Sequence, residues 1–161
     1  MTTPPGKLIA LDVGLARIGV ATCDPLGITV RPLAVIQRGS RQEDFDRLIG
    51  IVAAEEAEAV VVGLPLSMDG SESEQTKMTR TWALRLARAL RTARKQPLPV
   101  IFRDERLSSF AAQEMMAEQP KRATDLGEDA FAAAVILRSY LDARIQGEGE
   151  RWGRIELPQK N

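Results

Sequence analysis

Residues 7–21 read KLIALDVGLARIGVA, and this stretch predicts the centre of the fold. The apolar run over residues 8–13 is typical of a strand that is covered on both faces of a sheet. Asp12 interrupts that run, and a carboxylate among apolar side chains loses hydration unless a partner compensates it. Gly14 then marks a turn. An isolated Asp-x-Gly is more often a turn than a site, so Asp12 gains a functional meaning only if other acids converge on it.

The length and composition of the chain predict one globular domain. The chain has 161 residues, of which 44% are hydrophobic, and that length suits a single core. No apolar run is long enough for a membrane span, and the N-terminus lacks a signal-peptide core, so we expect a cytoplasmic protein with no membrane partner. The predicted division is a flexible leader over 1–6, a domain over 7–144 and a C-terminal tail over 145–161.

The residue types restrict the chemistry. The chain has no histidine and one cysteine, Cys23, which excludes His-dependent triads, His-ligated metals and disulfides within the chain. Catalysis must then use carboxylates, hydroxyls, Lys or Arg, or a metal held by oxygen. Lys plus Arg and Asp plus Glu balance at 22 each, so nucleic-acid binding would need a local cluster of positive charge and would be weak and steeply salt-dependent.

Hydrophobic periodicity predicts alternating strands and helices after a three-stranded meander. Ser40 with Glu43, and Asp125 with Glu128, fit capping boxes that begin two of the helices. The predicted strands cover residues 7–13, 17–23, 28–37, 59–62 and 98–102, with Pro32 marking an edge or bulge. The predicted helices run from Ser40 to about 58, over 74–95, from Ser108 or Ser109 onward, and to about 144.

The helix over 74–95 has two contrasting faces. Its predicted core stripe begins with Met78 and Trp82. On the other side lies a basic stripe, which is either a solvated helix face or a phosphate-facing surface. The members of the basic stripe are Lys77, Arg80, Arg88, Arg91 and Lys95.

Three acids lie where an open sheet would bring them together. In a sheet of order 3-2-1-4-5, the strand that carries Asp12 is central, Glu105 follows the far strand, and Asp129 begins the last helix on its core-facing side. Asp129 has a plainer explanation, since acids at helix N-termini interact favourably with the helix dipole. Three carboxylates without His or Cys favour Mg²⁺ or Mn²⁺. Without metal they repel, and at least one pKa should rise.

Four stretches in order carry a resemblance to a known family. They are LDVGLARIGVA, VVVGLPLSMDGSES, DERLSS and EDAFAAAVILRSYLD, and they span residues 11–142. The chain resembles the YqgF/RuvX family of RNase H-like nucleases, which are described as Holliday junction resolvases and as pre-16S rRNA maturation nucleases. One departure is Ser67, where the loop of the family usually has Asn.

The resemblance implies an α/β, RNase H-like mixed five-stranded sheet flanked by helices, and metal-dependent hydrolysis of phosphodiester bonds in the cytoplasm. It maps the catalytic, metal-binding acids onto Asp12, Glu105 and Asp129, with Glu128 as a neighbour that can be confused with the third. The residues that would contact substrate are Arg17, Gly63, Pro65, Arg106, Arg80 and Arg88.

The function implied most directly is trimming of the 5′ end of the 16S rRNA precursor, with nucleic acid and ribosomal particles as partners. Resolution of four-way DNA junctions is the alternative, and it requires a homodimer because the cuts are paired, whereas an RNA trimmer can act as a monomer. Two less favoured classes are a nucleotide-binding domain, for which the chain is short, and a non-catalytic RNA- or protein-binding module.

Overall fold

The computed structural model describes residues 3–94, 96–105, 117, 127–148 and 153–158. These contain a five-stranded sheet of order β3-β2-β1-β4-β5, as predicted. The strands are β1 (Leu8–Val13), β2 (Arg17–Cys23), β3 (Val30–Gln37), β4 (Ala59–Leu64) and β5 (Val100–Asp104). The helices of two or more described turns are α1 (Arg41–Ala54), α2 (Glu74–Ala93) and α3 (Glu128–Ile145).

The two faces of the sheet carry different helices. Ile9, Leu11 and Val13 of β1 join the core that contains the buried side chains of α1 and α2. Leu8 and Ala10 join the core on the other face, under α3. Because successive side chains of a strand point to opposite faces, Asp12 lies on the α3 face.

The mixed pairing of the sheet follows from the connections. β1 pairs antiparallel with β2 and parallel with β4, which makes it the central strand. β3 is an edge strand, and its pairing with β2 shifts in register between Val20 and Ala21, opposite Pro32. A proline lacks the N–H that a regular ladder needs, so the predicted edge or bulge at Pro32 is confirmed.

Several strand boundaries differ from the prediction for reasons of hydrogen bonding. β3 begins at Val30 rather than at Ile28, because the Asp24 carboxylate accepts the backbone N–H groups of Ile28 and Thr29 in the preceding turn. β5 begins at Val100, after Pro99, and continues to Asp104, which pairs with Leu64.

That pairing also extends β4 beyond the predicted end at residue 62. Gly63 pairs with Arg103 and Leu64 with Asp104. The predicted loop over 63–73 therefore begins only after Leu64. Its two sides approach each other at an isolated bridge between Leu66 and Glu72.

The helix ends show one correct cap and one wrong one. Ser40 and Glu43 form the predicted capping box of α1, which ends at Ala54 because Glu56 takes a positive φ of 53°. The capping box predicted for Asp125 and Glu128 is wrong. The N-cap of α3 is Gly127, with a φ of 92° and no side-chain cap, so Glu128 is the first helical residue and not the third.

Part of the C-terminal stretch packs on the sheet. The N–H of Ile155 donates to the carbonyl of Val100 at 2.8 Å, and Phe102 donates to Gly153 at 2.8 Å. Ile155 also packs against the α1/α2 core. The helix predicted from Ser108 or Ser109, and Trp152, lie outside the described residues.

Candidate active site

Asp12 sits in a row of small residues that crosses the sheet. It pairs with Gly19 of β2, and since Leu11 pairs with Val62 of β4, Gly63 lies beside it on the other side. Residues that pair across strands share a face. Because glycines occupy both positions, β2 and β4 place no side chain of their own next to the Asp12 carboxylate.

Other groups of the site fill the space above these glycines. A Cβ on Gly19 would lie 1.9 Å from the backbone oxygen of Asp129, at the start of α3. A Cβ on Gly63 would lie 2.7 Å from Oε2 of Glu105 and 2.5 Å from Cδ1 of Ile136. Real Cβ atoms do not come so close to other atoms. The role of Gly19 was missed in the sequence, although a glycine inside a β-branched strand signals a close approach.

The carboxyl groups of Asp12 and Glu105 are in direct contact. Burial raises the pKa of Glu105 to about 9, and the charge of Asp12 adds to that rise. Burial also raises the pKa of Asp12, against a hydrogen bond that Glu105 donates to it, and the charges of Asp129 and Glu128 raise it further. In the metal-free protein the pair therefore shares a proton at neutral pH, as expected for two acids in one site.

Asp129 approaches from α3 but is turned toward Arg17. Nε of Arg17 donates to Oδ2 of Asp129 at 2.7 Å. The contact closes the gap between the start of β2 and the start of α3, and it raises the pKa of Arg17 through the hydrogen bond. The structure thus brings Asp12, Glu105, Asp129 and Arg17 to one end of the sheet.

The residues of this cluster suit a divalent cation. Oε2 of Glu105 is buried and has no hydrogen-bond partner among the described residues, and a carboxylate oxygen in that state is a ready metal ligand. Within the described ranges, no three acids already stand at metal-binding geometry. The third carboxylate, Asp129, is instead paired with Arg17.

The remaining predicted substrate contacts are spread more widely. Gly63 underlies Glu105, and the carbonyl of Pro65 accepts a hydrogen bond from the hydroxyl of Thr76. Arg106 lies outside the described residues. The loop position Ser67 donates its N–H to the carbonyl of Ser71 at 3.0 Å.

Arg80 and Arg88 are not brought to the acids. Both belong to α2, which packs on the face of the sheet opposite Asp12. Arg80 forms an ion pair with Glu72 at 2.7 Å and lies 5.2 Å from the centre of the Phe102 ring. Arg88 is exposed on the outer side of the helix.

Comparison with known proteins gives a clear sequence match. The family model RuvX, described as Holliday junction resolvase, matches residues 6–143. A protein of Synechococcus elongatus named "Putative pre-16S rRNA nuclease" is 45% identical over 150 residues, covering 92% of this chain and 95% of the relative. A relative of the same name from Anaeromyxobacter is 41% identical over 140 residues, covering 86% and 98%.

Solved structures with the same fold have low sequence identity. One is described as T. thermophilus RuvC in complex with Holliday junction substrate, with a TM-score of 0.58, 16% identity, and coverage of 87% of this chain and 96% of that one. Fowlpox virus resolvase with its Holliday junction DNA gives a TM-score of 0.52 at 12% identity, covering 86% and 99%. These likenesses confirm the predicted RNase H-like fold. In the part of the chain that the structure describes, no helix is both long and apolar enough to cross a bilayer.

Proposed function

Since the chain belongs to the RuvX family, we propose that it acts as a metal-dependent nuclease on the 5′ end of the 16S rRNA precursor. The family and the named relatives make the protein a nuclease, which hydrolyses phosphodiester bonds. The substrate and the metal are what we propose. The proposal includes a cytoplasmic setting and ribosomal particles as partners.

The observation that carries the metal part is the contact of Asp12 with Glu105. Two buried carboxyls in contact need either a proton or a cation between them. The unpartnered Oε2 of Glu105 gives a cation a ligand that no described group now uses. Asp12 and Glu105 would hold Mg²⁺ or Mn²⁺, the ions that oxygen donors favour.

Asp129 and Arg17 supply the second half of the site. Arg17 is about half exposed, so a substrate phosphate can reach its guanidinium and compete with the Asp129 carboxylate. If Arg17 moved to a phosphate, Asp129 would lose its partner and would be available as a third metal-binding carboxylate. A bound divalent ion would neutralise charge on the attacked phosphate and lower the pKa of an attacking water.

The names of the most similar listed relatives favour RNA as the substrate. The curated relatives at 41–45% identity carry the name of a pre-16S rRNA nuclease. The solved structures with bound Holliday junctions are only 12–16% identical to this chain, and at that level the similarity shows the fold alone.

Junction resolution is the second candidate, favoured by the description of the family model. A resolvase makes two symmetric cuts, so it requires two copies of this site related by a twofold axis. An RNA trimmer has no such requirement. The oligomeric state during cleavage therefore separates the two functions.

The experiment offers both substrates to the same preparation. A labelled 5′ segment of the 16S rRNA precursor and a synthetic four-way DNA junction are incubated with the protein and Mn²⁺ or Mg²⁺. The Asp12→Asn variant controls for contaminating nuclease. We expect metal-dependent cutting of the RNA that this variant loses.

Other outcomes select the other candidates. Paired nicking of the junction by a dimer, with the RNA left intact, would replace rRNA maturation by resolution. Equal cleavage by Asp12→Asn and wild type would remove Asp12 from catalysis. Protection against heat unfolding by nucleotides, without cleavage, would indicate the nucleotide-binding class.

A further inference from the structure

A groove of about 450 Å³ lies on the other side of the turn from the acids. Its walls are the turn between β1 and β2, the start of α1, and the first half of α2. Four of the residues that line it are basic, and none of the described lining residues is acidic. They are Arg38, Arg41, Lys77 and Arg85. In a chain with a formal net charge of zero, this is a local concentration of positive charge.

The four basic residues differ in how they are used. Arg38 is a structural residue, since Nη1 donates to the carbonyl of Gly14 at 2.7 Å and Nε lies 3.7 Å from the buried Asp44 carboxylate. Lys77 has a loose exposed pair with Glu74 at 3.5 Å. Arg41 and Arg85 are exposed, and among the described residues no hydrogen bond or ion pair engages either one. Their guanidinium groups are available to a ligand.

The groove also has exposed apolar side chains. Leu15 is 79% exposed and Met78 is 60% exposed, and both line it. Met78 was predicted to belong to the buried stripe of α2, and that prediction is wrong because this part of the helix faces the groove. Cations beside exposed apolar groups match a ligand that has both anionic and flat apolar parts.

The groove adjoins the acid site through a short turn. Leu15 lies between Asp12 and Arg17 in sequence, and the N–H of Gly14 donates to the carbonyl of Arg17 at 2.9 Å to close the turn. The turn over residues 14–17 therefore borders the groove on one side and the carboxyl cluster on the other.

We propose that this groove binds a single-stranded segment of nucleic acid next to the phosphate that is cleaved. Phosphates contact Arg41 and Arg85, with Lys77 as a third cation, and bases pack on Leu15 and Met78. A duplex keeps its base faces stacked inside, so it cannot use the apolar groups. The volume suits one drug-sized ligand, which is the scale of a nucleotide. This inference rests on the proposed nuclease function and adds a strand requirement to it.

The test measures binding without cleavage. Fluorescence anisotropy with labelled single-stranded RNA, single-stranded DNA and blunt duplex is recorded in EDTA over a range of salt concentrations. The variant Arg41→Ala/Arg85→Ala is compared with Arg31→Ala/Arg47→Ala, which removes the same charge from exposed sites outside the groove.

We expect the groove variant to bind single strands at least about fivefold more weakly. Each phosphate contact contributes about 0.7 to the slope of log affinity against log salt for single strands, so loss of two should reduce the slope by about 1.4. The control pair should stay near wild type. Leu15→Ser should weaken single-strand binding without a change in slope, because it removes an apolar contact.

Three results would overturn the inference. They are an unchanged slope in the groove variant, an equal loss in the control variant, and tighter binding of blunt duplex than of single strands. Arg88→Ala adds a comparison, since a larger loss there would place the strand on the outer stripe of α2. If the groove variant binds with an unaltered salt slope while wild type still cleaves in the separate metal-dependent assay, only the groove proposal is rejected. If wild type neither binds nucleic acid nor cleaves it with metal, the nuclease proposal is rejected too.

Discussion

Arg17 and Asp129, 112 positions apart in the chain, form a hydrogen-bonded ion pair at 2.7 Å beside the Asp12–Glu105 contact. One acid of the candidate site is thus satisfied by a cation of the protein, while the other two share a proton. Asp12 and Glu105 therefore act as a pair, whereas Asp129 is held by Arg17. This arrangement predicts that the site is completed only when Arg17 is drawn away.

Replacement of Arg17 by Gln should change metal binding and cleavage in opposite directions. Asp129 becomes free to act as a ligand, so Mn²⁺ should bind about two- to fivefold more tightly, the range expected from breaking an exposed ion pair. Cleavage should fall because a phosphate contact is lost. Calorimetric titration with Mn²⁺ and single-turnover rates measure the two effects.

The matched control is Arg31→Gln, which breaks a pair with Glu55 at 3.3 Å on the edge strand. It should leave both quantities unchanged. Mn²⁺ affinity in Arg17→Gln that equals the wild-type value would show that the ion pair does not hold Asp129 back.

Metal binding should release about one proton per protein at pH 7. Glu105, with its pKa raised to about 9 by burial and by Asp12, is protonated at that pH and must ionise to bind a cation. Mn²⁺ affinity should therefore rise by up to about tenfold per pH unit below pH 9. Calorimetry in buffers of different ionisation enthalpy counts the protons.

Glu105→Gln has no proton to release at that position, so its binding heat should not depend on the buffer. Binding by wild type without proton release would mean that the metal does not displace the Asp12–Glu105 proton.

The same pair predicts how stability depends on pH in the metal-free protein. The folded state keeps a proton on Glu105 that the unfolded chain loses above its ordinary pKa of 4.5. The free energy of unfolding should thus fall as pH rises from about 4.5 toward 9. Asp12→Asn removes a buried charge that helps to raise the pKa of Glu105, and in EDTA at pH 8 it should raise Tm, by about 2–4 °C for each kcal/mol gained.

Asp142→Asn, a change of an exposed acid on α3, serves as the control in the same buffers. A lower Tm for Asp12→Asn than for wild type at pH 8 would indicate that the hydrogen bond from Glu105 to the Asp12 carboxylate stabilises the folded protein more than the buried Asp12 charge destabilises it.

Gly19→Ala should destabilise the protein because of one close approach. The new Cβ would lie 1.9 Å from the carbonyl oxygen of Asp129 and 2.3 Å from its carbonyl carbon, so α3 would have to shift. Crowding of this kind costs about 1–3 kcal/mol or more. Urea unfolding gives the free-energy change.

Gly50→Ala is a contrasting substitution in α1, where nothing lies within 4 Å of the new methyl group. It should stabilise by about 0.5–1 kcal/mol, since alanine suits a helix better than glycine. Equal stability of the two variants would contradict the close packing of α3 on Gly19.

The strands of the sheet were predictable because each is indicated by a short local stretch of sequence. The run around Asp12 indicates a central strand and Pro32 indicates an edge, while the full order 3-2-1-4-5 was the order assumed for an open sheet, and the RNase H-like fold came from the family resemblance. The three acids could be assigned to strand ends and a helix start, which fixes the end of the sheet they share.

The contacts within the site could not be predicted from the sequence. Nothing in the pattern shows that Arg17 faces Asp129, or that the basic stripe of α2 lies across the sheet from Asp12. Those facts depend on which face each helix covers. The groove was hidden for a similar reason, because Arg41 and Arg85 belong to separate helices and Met78 looks like a core residue by spacing alone.

The central claim is that Asp12 and Glu105 act as one unit that holds the metal for cleavage. Single-turnover rates on the 5′ segment of the 16S rRNA precursor in Mn²⁺ test it most directly, for Asp12→Asn, Glu105→Gln, the double variant and Asp142→Asn. We expect losses of at least about a hundredfold in either single variant, no further loss in the double variant because the pair is one unit, and a near wild-type rate in Asp142→Asn. Single-variant rates close to wild type, or losses that multiply in the double variant, would contradict it.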